Sequence, residues 1–139
     1  QRAYRMMLAR YPALMIQLGL PPRDLAGAVA SFLAGGLAAY HAVEIPDGDF
    51  KALYEQLRPI VSANFASVPL TARRAAYEQL AILGIYLAAL QQQLAAHPDP
   101  QRARALKQAA RAYLEQYFKI DPERVRITSA GLVAAPARR

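Results

Sequence analysis

Nineteen consecutive uncharged residues lie between Asp24 and Glu44, and no other stretch of this 139-residue sequence restricts the fold as strongly. A run of that length is sufficient to span a bilayer as a helix. Its composition argues against a membrane span, because alanine and glycine make up most of it and Ser31 and His41 interrupt it. A helix that is apolar on every side is otherwise found at the centre of a globular core. We therefore predict a buried helix over residues 22–44 that is not transmembrane.

Small residues recur along one face of this predicted helix. Gly27, Ser31 and Gly35 are spaced four residues apart, which places them on one side of an α-helix. Small side chains at this spacing allow a neighbouring helix to approach closely. The pattern predicts that another helix packs directly against this face.

Another helix is predicted over residues 72–96 by a regular stripe of apolar side chains. Positions separated alternately by four and three residues fall on one face of a helix. The stripe consists of Ala76, Leu80, Leu83, Leu87, Leu90 and Leu94. The opposite face is apolar as well, and it carries Ile82, Ile85, Tyr86 and Ala89. We therefore expect the middle of this helix to be buried on all sides.

The rest of the composition also favours helices. Alanine and leucine are abundant, and both are strong helix formers. Valine, isoleucine and threonine, which favour strands, are sparse. Further helices are predicted over residues 2–18, 50–66 and 100–118, and Asp49 and Thr71 are predicted as the N-caps of the third and fourth helices.

These elements predict an all-α fold in one domain. Residues 124–132 alternate enough to form a short extended segment after the last helix. We predict a single compact bundle of about five helices over residues 1–133, followed by a disordered tail over residues 134–139. The length is that of one ordinary domain.

The residue content disfavours several kinds of chemistry. The chain has no cysteine, which removes disulfides, thiolate metal sites and thiol nucleophiles. His41 and His97 are its only histidines, so a zinc site with three or four converging ligands is not expected. No phosphate loop, dinucleotide fingerprint or ordered catalytic triad is present. We expect no metal, no cofactor and no catalysis, and an enzyme with an unrecognised site stays open as an alternative.

The net charge of +7, from 17 basic and 10 acidic residues, has two interpretations. A composition rich in arginine and alanine is typical of a GC-rich genome and then carries no functional information. Alternatively, the basic residues bind a polyanion such as nucleic acid, an acidic protein or an anionic membrane surface. Nucleic acid is disfavoured, because Tyr113 and Tyr117 in the helix over residues 100–118 are predicted to point inward instead of stacking on bases.

Glu78 is the first candidate for a functional residue, since it begins the most hydrophobic part of the helix over residues 72–96. Arg74 stands one turn before it. Either the two form an exposed ion pair worth a few tenths of a kcal/mol, or Glu78 is partly buried and lines a cleft. Asp24, whose charge complements the dipole at the start of the helix over residues 22–44, completes the set of candidate interaction or cleft residues.

Three segments occur in the same order as in a known family. They are residues 22–28 (PRDLAGA), 75–80 (AAYEQL) and 121–132 (DPERVRITSAGL). Together they resemble a proteobacterial domain family of unknown function, whose members often follow an export signal and a disordered stretch. The resemblance implies an all-helical domain that is periplasmic or secreted, with a cytoplasmic location as the alternative. It implies no reaction.

We therefore expect a domain that works by binding. The first hypothesis is a protein-interaction module of an exported or periplasmic bacterial protein. The second is a pocket protein that holds an apolar or lipid-like small molecule between the helices predicted over residues 22–44 and 72–96. A large apolar surface patch would favour the first, and a cleft of several hundred Å³ with convergent polar groups would favour the second.

Overall fold

The structure is a computed structural model and describes residues 24–135. Helices account for 76% of these residues. The elements in chain order are α1 (Leu25–His41), α2 (Asp47–Phe65), α3 (Leu70–Ala96), α4 (Pro100–Phe118), a 3₁₀ turn (Pro122–Arg124), β1 (Val125–Thr128) and β2 (Gly131–Ala134). An all-α bundle of about five helices was predicted, and its mostly helical character is confirmed. Four of the predicted helices are described, and the one predicted over residues 2–18 lies outside the described residues.

α1 is the central element of the fold. Every residue from Ala26 to Tyr40 is buried, because α2, α3, α4 and β1 all pack against this helix. The prediction of a buried helix here is confirmed. None of the helices formed by residues 24–135 combines the length and the apolar character that a membrane span requires.

α1 and α3 make the most extensive contact between helices, and they cross at two glycines. A Cβ atom on Gly35 would overlap the carbonyl group of Gly84, and a Cβ atom on Gly84 would overlap the backbone of Ser31. The two helix backbones therefore touch without intervening side chains. The spacing of Ser31 and Gly35 predicted this close approach, and the crossing confirms it.

α2 and α3 begin at residues other than those predicted. α2 begins directly after Pro46 and α3 directly after Pro69, and no side chain caps either helix. Asp49 and Thr71 lie inside the first turns, so their prediction as N-caps is wrong. Pro46 and Pro69 are themselves extended, with ψ of 149° and 147°, and each proline disfavours the α conformation of the residue before it. Neither helix therefore extends further towards the N-terminus.

α4 turns its apolar side towards α1 and its basic side towards solvent. Leu106, Ala110 and Leu114 are buried, while Tyr113 and Tyr117 are half-buried. The exposed basic residues are Arg102, Arg104, Lys107 and Arg111. The predicted division of this helix into an apolar and a basic face is confirmed.

The predicted extended segment is a β-hairpin, so the fold is mostly helical with a small antiparallel sheet and not purely α. Val125 pairs with Ala134, and Thr128 pairs with Gly131 across a two-residue turn. β2 reaches Ala134, one residue beyond the predicted domain boundary. Residues 136–139 of the predicted tail lie outside the described residues.

Side chains from α1 and α2 hold the hairpin. The Gln56 side chain donates from Nε2 to the carbonyl of Leu132 at 3.0 Å and accepts from its N–H at 2.7 Å, as the backbone of a neighbouring strand would. His41 donates from Nε2 to the carbonyl of Val125 at 3.1 Å. These bonds join residues that are distant in sequence and bring the C-terminal segment to the end of α1.

Candidate functional site

A groove of about 780 Å³ runs between α3 and α4. It arises because each of these helices contacts α1 more extensively than it contacts the other. The turn that joins them is short, and Asp99 starts α4 by accepting hydrogen bonds from the N–H groups of Gln101 and Arg102 at 3.1 and 3.2 Å. α3 and α4 are therefore antiparallel neighbours with a gap between them.

The floor of this groove is apolar. Leu87 and Leu106 are buried at its base, and Leu90 and Leu94 are half-buried beside them. Tyr86 stands on the α3 side with 45% of its surface exposed. An aromatic side chain thus lies at the edge of a row of leucines that remain partly open to solvent.

Charge is nearly absent from the groove. Asp99 and Arg102 are the charged residues of its lining, and they pair with each other at 3.5 Å between Oδ2 and Nε. Residues 79–96 of α3 contain no Asp, Glu, Lys or Arg. Lys107 of α4 lies on another side of that helix, where its Nζ is 4.8 Å from the ring centroid of Tyr40.

The exposure of Tyr86 overturns the prediction that the middle of this helix is buried on all sides. Ile82 and Leu87 are buried, but Tyr86 and Ala89 are exposed. Among the elements of residues 24–135, α4 packs mainly on α1 and does not cover this face of α3. The sequence did show that this helix is apolar on two faces, and such a helix needs a covering element on each face to be fully buried. The error was to infer complete burial from the two apolar faces alone.

A second cavity, of about 320 Å³, lies between α1 and α3 next to their crossing. Its walls are built mainly from small residues, which are Ser31, Ala34, Gly35 and Ala38 of α1 with Gly84 and Ala88 of α3. Phe50 contributes from α2, and Gln91 and Gln92 contribute amide groups. This volume lies at the lower end of the range of about 300–1,000 Å³ that is typical of small-molecule sites.

A third cavity, of about 560 Å³, lies where the C-terminal end of α1 meets the hairpin. Its polar lining consists of His41, Glu44, Asp49, Glu123 and Arg126, above apolar contacts from Leu37 and Ile127. These polar groups come from two stretches of the chain, residues 41–49 and 123–126. Within residues 24–135, no group of three or more histidine or carboxylate side chains is placed to hold a metal ion.

Tyr40 joins α1 to the polar end of α4. Arg111 donates from Nη1 to the Tyr40 hydroxyl at 3.3 Å, and its Nε pairs with Glu115 at 3.1 Å. Burial raises the pKa of Tyr40, and its hydrogen bond with Glu123 raises this pKa further. Arg111 also lies 3.6 Å from Asp121, so its charge is used to hold the junction of α1, α4 and the 3₁₀ turn.

Comparison with known proteins places the chain in a family. Residues 1–135 match the model of a family of unknown function, DUF6683. The chain belongs to this family. Neither the curated proteins nor the solved structures gave a match. Because the DUF6683 description names no activity, membership assigns no role to the groove or to the other cavities.

Asp24, the first of the predicted site residues, has a structural role in this DUF6683 domain. Its Oδ1 accepts from the N–H of Ala26 at 3.4 Å, and its Oδ2 accepts from the hydroxyl of Tyr54 at 2.5 Å. Burial raises the pKa of Tyr54 to about 12, with the hydrogen bond to Asp24 as the next cause. Asp24 thus fastens α1 to α2, and it does not line the groove or either of the other two cavities.

Arg74 and Glu78 lie in the first half of α3 and line none of the three cavities. Arg74 is exposed and Glu78 is half-buried. Across the part of the chain that the structure describes, the two side chains form no ion pair with each other. The fold therefore does not bring Asp24, Arg74 and Glu78 together into one cleft.

We expect Glu78→Gln to change the free energy of unfolding by less than about 0.5 kcal/mol, as is usual for surface substitutions. Among the described residues the Glu78 carboxylate has no ionic partner to lose, and the glutamine amide keeps the shape of the side chain. Urea denaturation of the variant measures this, with Arg74→Gln as the matched control on the same helix. A loss approaching about 3 kcal/mol for Glu78→Gln alone would indicate a buried charge pair and contradict the expectation.

Proposed function

We propose that this chain is a non-catalytic, helical protein-binding domain of an exported bacterial protein, and that it binds its partner in the groove between α3 and α4. The observation that carries the proposal is Tyr86, an aromatic residue with 45% of its surface exposed at the edge of an apolar groove. Aromatic side chains of this kind are enriched at the centres of protein interfaces, where they supply much of the binding free energy.

The shape of the groove suits an α-helix of the partner. Two antiparallel helices form its walls, and helix-in-groove binding places regularly spaced apolar anchors on such a floor. Leu90 and Leu94 are one turn apart along α3, so they offer contacts at the spacing of a helical partner. Since Asp99 and Arg102 already neutralise each other, the contacting face of the partner should be apolar and uncharged.

Asp99, the carboxylate in the lining of the groove, is already bonded within the protein, which favours binding over catalysis as the role of the groove. Asp99 accepts hydrogen bonds from two backbone N–H groups through Oδ1 and pairs with Arg102 through Oδ2. General acid–base catalysis needs a group that can exchange a proton with a substrate in reach. A carboxylate whose two oxygens are already bonded to the start of α4 and to Arg102 is poorly placed for that exchange.

Export is the second part of the proposal. It is supported by residues 22–28, 75–80 and 121–132, which resemble a family of exported proteobacterial domains. Fractionation of the native bacterium should place the chain in the periplasm or the medium. Confinement of the chain to the cytoplasm would contradict this part of the proposal and leave the groove untouched.

Tyr86→Glu is expected to weaken partner binding by at least about tenfold, equivalent to about 1.4 kcal/mol. The substitution places a charge on an apolar contact surface that has no free counter-charge. Proteins captured by the wild-type chain in its native host are identified by mass spectrometry, and the purified partner is then titrated against each variant.

Ile60→Glu is the matched control for this experiment. Ile60 lies on α2, is 52% exposed and does not line the groove, so the same change in charge should leave partner affinity as it is. Circular dichroism checks that both variants fold. Equal affinity of Tyr86→Glu and wild type for every captured partner would contradict binding in this groove.

The cleft between α1 and α3 supports a second candidate function, the binding of an apolar small molecule. This is the second cavity described above, of about 320 Å³. It lies between the helices predicted over residues 22–44 and 72–96, where the sequence suggested an apolar or lipid-like ligand. Walls of alanine and glycine suit a slender alkyl chain, and Gln91 and Gln92 could hydrogen bond a polar head group. The site has the combination of apolar walls and few polar groups that is typical of small-molecule pockets.

Ala88→Phe is expected to fill this cleft and to weaken fatty-acid binding by at least about tenfold. Dodecanoate, with octanoate and hexadecanoate for comparison, is titrated by isothermal calorimetry. Ala89→Phe, at the next position along α3 and outside the cleft lining, is the control and should bind as wild type does. Absence of heat with the wild-type chain for all three acids would argue against this second function.

A further inference from the structure

We propose that residues 2–18, for which the sequence predicts a helix, lie in the groove between α3 and α4 in the free protein, and that the protein partner enters the groove by displacing them. Displacement rests on the proposed function, whereas docking of the segment does not depend on any partner. The segment lies outside the described residues, and the family match over residues 1–135 includes it together with the groove. Among the elements of residues 24–135, none covers the face of α3 that exposes Tyr86.

Residues 2–18 carry a continuous apolar stripe. Side chains separated alternately by three and four residues fall on one face of a helix. The stripe consists of Tyr4, Met7, Tyr11, Leu14 and Leu18. Arg2, Arg5 and Arg10 fall outside this face, and so does Pro12. The kink that a proline causes therefore bends the helix without interrupting the stripe, and the charges lie elsewhere on its surface.

The stripe meets the requirement of the groove for an uncharged occupant. Asp99 and Arg102 pair with each other at 3.5 Å, and residues 79–96 of α3 carry no Asp, Glu, Lys or Arg. A charge brought into the groove would be buried without a counter-charge, which is strongly unfavourable. A helix that presents this stripe to the leucine floor keeps its arginines in water and buries no charge.

Covalent attachment selects this segment over other apolar occupants of the groove. Gly19, Pro21 and Pro22 break the helical pattern between Leu18 and Asp24, so the chain turns there. A segment held by so short a linker acts at an effective concentration of roughly millimolar order. A separate apolar protein, or a second copy of the chain, would have to compete with that concentration before it could enter the groove.

The point at which the chain enters α1 gives the segment its direction. Phe32 of α1 packs on Tyr117 of α4, with ring centroids 5.5 Å apart. Gly36, further along α1, lies against Leu114, so α1 and α4 are antiparallel and the chain enters α1 at the end of the bundle where α4 ends. A segment that turns back from this point runs along the bundle parallel to α4 and antiparallel to α3.

The length of the stripe also fits the groove. A helix rises about 1.5 Å per residue, so the α3 wall over residues 86–97 is about 17 Å long and the part of the stripe over residues 4–14 is about 15 Å long. In the direction given above, Leu14 lies beside Tyr86 at the end of the groove nearer to α1's start. The remaining residues of the segment then reach back to the entry of α1.

Disulfide trapping in the full chain tests the docking, since the sequence contains no cysteine of its own. In this arrangement Met7 comes level with Ala105 on the α4 wall of the groove, so Met7→Cys combined with Ala105→Cys is expected to form an intramolecular disulfide. Ala9 falls on the opposite side of the predicted helix, and Ala9→Cys with Ala105→Cys should form it at least about tenfold more slowly. Peptide mass spectrometry after mild oxidation measures both rates, and circular dichroism checks that both variants fold.

Leu14→Glu is expected to tighten partner binding by at least about fivefold, because it releases the segment and so removes the competition that a partner meets. The substitution brings a charge into a groove in which Asp99 and Arg102 already pair with each other. Ile16→Glu is the matched control, since Ile16 falls outside the stripe, and it should bind the partner as the wild type does. The partner captured with the wild-type chain is titrated against each variant by isothermal calorimetry.

The outcomes keep the covered groove apart from the proposed function. Equal rates for the two cysteine pairs would contradict docking of the segment, and unchanged or weaker partner binding by Leu14→Glu would contradict displacement. If the pairs react equally but Tyr86→Glu abolishes partner binding, the cover is wrong and the protein-binding function stands. If the Met7 pair is favoured but Tyr86→Glu alters no binding, the cover stands and the proposed function is wrong.

Discussion

Gly35→Leu is expected to lower the free energy of unfolding by about 3 kcal/mol, the upper end of the usual range for overpacked cores. Even the Cβ atom of the new side chain would overlap the carbonyl group of Gly84. Backbone atoms cannot rotate away as a side chain can, so α1 and α3 would have to separate. Because these two helices make the most extensive contact in the fold, their separation would loosen the whole core.

Two other glycines provide a graded comparison for this result. A Cβ atom on Gly36 would lie 3.0 Å from a methyl group of Leu114, which can shift, so Gly36→Leu should cost less than Gly35→Leu. A Cβ atom on Gly48 would meet nothing within 4 Å, so Gly48→Leu should leave stability unchanged or slightly raised, given the poor helix propensity of glycine. Urea denaturation followed by circular dichroism gives the three values. Equal stability of the Gly35 and Gly48 variants would show that α1 and α3 do not cross at this position.

Raising the pH from 10 to 12 is expected to remove about 2 kcal/mol of stability through Tyr54 alone, out of about 3 kcal/mol that is lost in full only at still higher pH, since each unit of pKa shift corresponds to about 1.4 kcal/mol. Burial raises the pKa of this tyrosine from 10.0 to about 12, and the hydrogen bond that it donates to Asp24 adds to the rise. The folded state therefore prefers the neutral hydroxyl. The contribution is complete below the unfolded pKa and disappears as the pH rises through the folded pKa.

Tyr54→Phe isolates this contribution. At neutral pH the variant should be less stable by about 1–3 kcal/mol, because the partly buried Asp24 side chain loses the hydrogen bond from the Tyr54 hydroxyl. Above pH 10 its stability should fall less steeply than that of the wild type, although Tyr40, whose pKa is also raised, keeps part of the slope. Tyr86→Phe, at an exposed position, is the control and should follow the wild-type curve. If Tyr54→Phe loses stability as steeply as the wild type does, Tyr54 is not the group responsible.

Several features of the fold could be predicted from the sequence because they depend on local composition and period. The uncharged run in α1 required burial on all sides, and the recurrence of Ser31 and Gly35 indicated a closely packed neighbouring helix. The spacing of apolar and basic residues in α4 assigned its two faces. In each case these side chains have little choice of environment, because exposing apolar surface to water or burying an unpaired charge costs free energy.

The same kind of reasoning could not predict where the candidate site residues lie in the fold. Asp24, Arg74 and Glu78 stand out in the sequence because they are charged residues beside apolar ones. The structure uses Asp24 to hold Tyr54, and it places Arg74 and Glu78 outside every cavity described above. A charged side chain near an apolar helix has many ways to reach solvent or a partner, and sequence spacing does not distinguish among them.

By itself, the sequence determined that α1 is buried, that a second helix crosses it closely, and that α3 is apolar on two faces. Only the tertiary structure decided that Tyr86 remains exposed and that a groove separates α3 from α4. It also decided that Gln56 holds the hairpin. The physical reason is that the spacing of apolar residues shows which faces of a helix are apolar. Whether such a face is buried depends on where the other elements of the fold pack. Here α4 packs on α1, and none of the other elements that the structure describes covers the second apolar face of α3.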